Sequence, residues 1–169
     1  MAQMKLRQLI SAALLLALAL VFQSLRFFIP VPPVFTTFLI GSLVNSCILI
    51  AVDKANLTGA LAIAVVTPFM AYVQQLLLLP LFILPVAIGN SLLAALYWLL
   101  RKRPTWVKIG VAAAGKGLVL YGCFALLLSM IAIPQSAAKA ILFVMSWPQF
   151  VTGVFGGLIA YAVNKRLPS

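Results

Sequence analysis

The sequence predicts an all-α integral membrane protein of six transmembrane helices with both termini in the cytoplasm, forming one transmembrane domain over residues 1–169. Three observations predict it. Of 169 residues, 65% are apolar and only 8% charged, and the mean hydropathy is +1.21; soluble domains carry about 25% charged residues. Apolar runs of roughly 20 residues, the length that crosses the hydrocarbon of a bilayer, follow one another along the chain. The basic residues gather on one side of the spans so drawn.

Span 1 is expected from about Leu9 to Phe28, span 2 from about Phe35 to Val52, and span 3 from about Leu57 to Val73. Span 4 runs from about Pro80 to Leu100, span 5 from about Trp106 to Ile131, and span 6 from about Ala140 to Asn164. Between Leu57 and Leu100 only Gln74, Gln75, Pro80 and Pro85 mark a turn. Lys5 and Arg7 before an apolar core resemble a signal peptide. The next apolar run follows within a few residues, however, so the first segment reads as a retained span.

Cytoplasmic loops of membrane proteins are enriched in Lys and Arg. With the N-terminus inside, Lys5, Arg7, Lys54, Arg101, Lys102, Arg103, Lys108, Lys165 and Arg166 fall on the cytoplasmic side, and Arg26 and Lys139 on the outer side. Lys116 falls within span 5. Topology therefore accounts for the net charge of +11, and nucleic acid is not an expected partner. A multi-pass protein of the plasma membrane, in contact with lipid, is.

The composition also excludes chemistry. There is no His, and Asp53 is the single acidic residue, so neither a paired-carboxylate site nor a Ser-His-Asp arrangement can be built. Cys47 and Cys123 cannot hold a metal alone, and no glycine-rich phosphate loop occurs. The chain is expected to be no enzyme, with no cofactor and no metal site.

Residues of interest lie inside the spans. Lys116 stands eight positions after Lys108, about 12 Å further into the membrane. A Lys at that depth faces a cavity or a partner, or else its stem snorkels to the interface. Gly115 and Gly117 flank it, leaving room for a neighbour or ligand. Gln74, Gln75, Asn90, Tyr121, Ser146, Trp147 and Gln149 collect towards the outer half, where Pro148 frees backbone groups that something must satisfy. Each also fits ordinary hydrogen bonding between helices. Tyr97, Trp98 and Trp106 read as an interfacial belt. Arg26 opens the segment Arg26-Phe-Phe-Ile-Pro-Val-Pro-Pro-Val34, which fits either a lid over an outer cavity or a stiff turn.

Ala13 and Ala17, four apart, put small side chains on one helix face. Such a face lets another membrane helix approach closely, or it is a coincidence of a Leu/Ala-rich helix. Gly153 and Gly157 make a second such face, read as internal packing.

The size, the six spans, the inward termini, Ala13-x-x-x-Ala17 and the Pro-rich outer first loop together resemble the S component of energy-coupling factor (ECF) transporters, the substrate-binding membrane subunit for vitamin uptake. The resemblance implies docking of Ala13 and Ala17 on a transmembrane coupling subunit, energy from two cytoplasmic ATPase subunits, and an outward-opening pocket among the outer halves of spans 4 to 6. Lys116, Asn90, Gln74, Gln75, Tyr121, Trp147, Gln149 and Arg26 are the expected substrate-binding residues. Acidic pocket residues of the thiamine-type members are absent, so the substrate is expected to be a small neutral or anionic metabolite. Two other classes have similar dimensions: a membrane scaffold of the rod-shape determinant type, and a small standalone permease.

Overall fold

The computed structural model describes residues 2–28, 33–131 and 133–166. Its helices are α1 (Ala2–Ser24), α2 (Pro33–Lys54), α3 (Leu57–Val73), α4 (Ile83–Leu99), α5 (Thr105–Met130), α6 (Gln135–Val144) and α7 (Trp147–Arg166), with short 3-10 turns at Leu25–Phe27 and Pro80–Phe82. No strand occurs among the described residues. Five segments are long and apolar enough to cross a membrane. The chain is thus a multi-pass membrane helix bundle. The third expected span, Leu57–Val73, is 17 residues long, about 26 Å of helix against a hydrocarbon core of about 30 Å.

The sixth expected span lies within one apolar segment, Gln135–Arg166, but this is not one continuous helix: it is broken into two at Met145 and Ser146. Pro148 causes the break. Proline fits the first turn of a helix, but its ring cannot follow the carbonyl four residues earlier in a continuing one. That carbonyl belongs to Val144, and Gln149 Nε2 donates to it at 3.3 Å. The group Pro148 leaves without its helical donor is therefore satisfied by the next side chain.

Helix α2 runs through the middle of the bundle and packs against α1, α3, α4 and α7, while α5 packs against α4 and α7. Glycines permit the closest approaches. A Cβ on Gly156 would stand 2.9 Å from the backbone oxygen of Ser42 in α2, and one on Gly153 would stand 3.1 Å from the Ala113 Cα in α5. The glycines of α7 are thus an internal packing face. Gly115 and Gly117 are filled too, by Leu96 and Phe150, so the space beside Lys116 is occupied by neighbouring helices.

Helix ends are closed locally. Asn56 adopts φ 134° between α2 and α3, and its side chain accepts from the Gly59 amide at 2.8 Å. At the other end of α3, Gln75 takes φ 58° while the Leu76 amide donates to the Ala71 carbonyl, a left-handed stop.

At one end of the bundle, Asp53 of α2 accepts hydrogen bonds from Tyr97 of α4 at 3.1 Å and Asn164 of α7 at 2.7 Å. Lys108 of α5 lies over the Tyr97 ring, 4.2 Å from its centroid. Gln8 of α1 meets Asn56 at the start of α3. Six helices therefore meet at this end, and because α1, α2, α5 and α7 carry Lys or Arg there, it is here called the basic end. Tyr97 is not part of an interfacial belt: it is 1% exposed, whereas Trp106 is 71% exposed. Arg101 caps the Trp98 ring at 4.5 Å.

Candidate functional site

In the half of the bundle away from the basic end lies a cavity of about 160 Å³. Helix α1 contributes Gln23, followed by Arg26 from the 3-10 turn. Helix α2 contributes Thr37, Gly41 and Asn45, α3 Thr67 and Pro68, α4 Asn90, α5 Lys116, and α7 Gln149. Apolar side chains including Ile40, Val44, Val86 and Val144 fill the rest of the wall.

Lys116 is 3% exposed and donates from Nζ to Asn45 Oδ1 at 2.7 Å. It does not snorkel: its charge is held in the bundle interior by a neutral amide. Asn45, itself 1% exposed, donates from Nδ2 to Thr152 Oγ1 at 3.2 Å, and Thr152 donates to the Gln149 carbonyl at 3.1 Å. Because Lys can only donate and Thr152 already directs its hydroxyl hydrogen at a carbonyl, the Asn45 amide has one consistent orientation. Asp53 stands eight residues beyond Asn45 along α2, about 12 Å away, and is occupied by Tyr97 and Asn164. Among the described residues, no carboxylate neutralises the cavity.

Asn90 is 4% exposed, lines the cavity, and has no hydrogen-bond partner among the described residues. Arg26 is half-buried and has no hydrogen-bond or ion-pair partner among them either, with its Nε enclosed. Gln23 Nε2 donates to the Thr67 carbonyl at 3.0 Å, tying the end of α1 to α3. The site therefore presents two cations, a free carboxamide and further amides behind an apolar wall, a set able to donate hydrogen bonds to an anion.

Of the eight expected ligand contacts, Lys116, Asn90, Gln149 and Arg26 border this cavity. Gln74 is absent from its wall and donates to Ser24 Oγ at 3.2 Å. Gln75 is exposed and serves the left-handed stop of α3. Tyr121 and Trp147 line a separate apolar groove between α5 and α7 with Leu118 and Phe150. Trp147 there packs against Phe38 and Phe143. The residues of the proposed lid numbered 29–32 lie outside the described residues.

Asn45, Gln23, Thr67 and Thr152 were not expected at the site. Asn45 carried a usable signal, a carboxamide in the middle of an apolar span, which is the same signal that singled out Asn90. Ala13 and Ala17 are both exposed on α1, beside exposed Leu14 and Leu18. No family model matches the chain, and no curated protein and no solved structure is significantly similar to it.

Proposed function

We propose that this chain is the substrate-binding subunit of an ECF-type transporter in the plasma membrane, a binding rather than a catalytic protein. It captures a small water-soluble vitamin or related metabolite, neutral or anionic, from outside the cell. A transmembrane coupling subunit and two cytoplasmic ATPase subunits then drive uptake. The observation that carries this reading is the buried Lys116, which faces a cavity and among the described residues has only Asn45 as its partner. A charge kept at that depth is costly, and an entering carboxylate or phosphate offsets the cost. With the basic end placed in the cytoplasm by the Lys/Arg bias, the cavity lies in the outer half, within reach of an external solute. Lys116 then supplies the charge contact, Asn90 and Gln149 orient the ligand, and Arg26 faces it from the outer end of α1.

Affinity purification of the tagged chain from its native membranes tests the assembly. Recovery of a second membrane subunit together with two ATPases is the expected result. Recovery of the chain alone, with unaided solute transport in proteoliposomes, would overturn the reading in favour of a standalone permease.

A further inference from the structure

We infer that the cavity takes a compact dicarboxylate, two carboxylates on a short carbon spacer; this deepens the binding-subunit reading and rests on it. The argument is a count of charges against space. Two cations, Lys116 and Arg26, border one cavity, and the only acidic side chain, Asp53, is engaged at the other end of the bundle. A neutral solute leaves both cations without a counter-charge and a monoanion leaves one. Lys116 is buried and Arg26 half-buried, and a charge removed from water without a partner is unfavourable, so a ligand carrying two negative charges matches the site.

Their placement asks for two separate anionic groups rather than one doubly charged centre. Along α2 the wall runs from Thr37 to Asn45, eight residues or about 12 Å. Lys116 is bound at the Asn45 end, whereas Arg26 follows the opposite end of α1 in a 3-10 turn. Size sets the upper limit. A cavity of about 150 Å³ accommodates benzene, so about 160 Å³ suits a diacid of roughly three to five carbons better than a fused-ring anion. Asn90, buried and without a hydrogen-bond partner among the described residues, is placed to donate to a carboxylate oxygen.

Titration calorimetry of the purified full chain in detergent tests this with malonate, succinate and glutarate. Monomethyl succinate serves as the matched monoanion, inorganic phosphate as the single-centre dianion and indole-3-acetate as the bulky anion. At least one diacid is expected to bind about tenfold or more tighter than monomethyl succinate and phosphate, the gain of one charge-assisted contact. Arg26→Gln should shrink the diacid-to-monoester ratio to about twofold or less while monoester binding persists, and Lys116→Met should weaken both. Arg26 is half-buried and has no hydrogen-bond or ion-pair partner among the described residues, so its variant tests the proposal even where the Lys116 variant does not fold. Equal binding of diacid and monoester, or an unchanged ratio in Arg26→Gln, overturns the inference. Lys116-dependent binding of indole-3-acetate with the diacids silent overturns the ligand class and leaves the binding-subunit reading standing. Silence of the whole panel overturns the ligand class as well, and co-purification then decides the other reading separately.

Discussion

Asn45 determines what Lys116 can do. Its Oδ1 takes one ammonium hydrogen, and its Nδ2 is anchored on Thr152, whose own hydrogen is directed at the Gln149 carbonyl. The first two links are buried and the third partly so, and each directs a hydrogen at a free acceptor position of the next atom. Removing one member of such a network leaves the other unsatisfied, whereas replacing both with apolar groups is close to neutral. Asn45→Leu is therefore expected to cost about 1.5–3 kcal/mol of stability, the range for a hydrogen bond to a charged group. Adding Lys116→Met should restore most of that loss, giving a coupling term in a double-mutant cycle. Chemical unfolding in detergent measures it. Losses that simply add would show that the two side chains are energetically independent.

Helices α2 and α7 meet through Gly156, and this contact sets the position of Asn45. A Cβ there would lie 2.6 Å from the Asn45 Cβ and 2.9 Å from the Ser42 carbonyl oxygen, and backbone does not yield as a flexible side chain does. Gly156→Ala should thus force the two helices apart at a cost of about 1–3 kcal/mol, typical of overpacking. Solute affinity should fall along with the melting temperature. Gly110, whose added Cβ would meet nothing within 4 Å, is the matched control, and Gly110→Ala should leave both quantities unchanged. A Gly156→Ala protein as stable as this control would mean that the α2–α7 contact is looser than described. The same pair of helices explains why the last span is broken. Pro148 ends α6 where Gln149 can turn back to Val144, and the restart as α7 brings Gln149 to the cavity wall.

For the whole molecule the question is which surface meets a partner. Helix α1 sits at the edge of the bundle, its Ala12, Leu15 and Leu16 packed against the core and its Ala13, Leu14, Ala17 and Leu18 exposed. Because Ala13 and Ala17 are exposed, replacing both with Trp should leave the melting temperature and solute binding in detergent within experimental scatter. Energised uptake and recovery of the coupling subunit should be lost. A doubly substituted protein that still assembles and transports normally would show that this face is exposed to lipid alone.

The membrane class was legible because it depends on composition and on runs of apolar residues, and both are properties of the chain read in order. Four of the eight expected contacts, Lys116, Asn90, Gln149 and Arg26, line the cavity for a related reason: a polar side chain within an apolar span must point away from lipid. That rule locates a residue in depth but not in azimuth. Tyr121 and Trp147 have the right depth yet face a groove outside the cavity, and Gln75 is spent on a turn. Tyr97 went the other way, from an expected belt position to a buried ring whose hydroxyl bonds Asp53. Only the tertiary structure decided that Lys116 reaches Asn45, 71 residues earlier in the chain, and that the two unneutralised cations share one cavity. The physical reason is that rotation of each helix about its axis follows from interhelical packing, above all where Gly153, Gly156 and Gly157 let backbones close up, and that information belongs to pairs of helices rather than to any one segment.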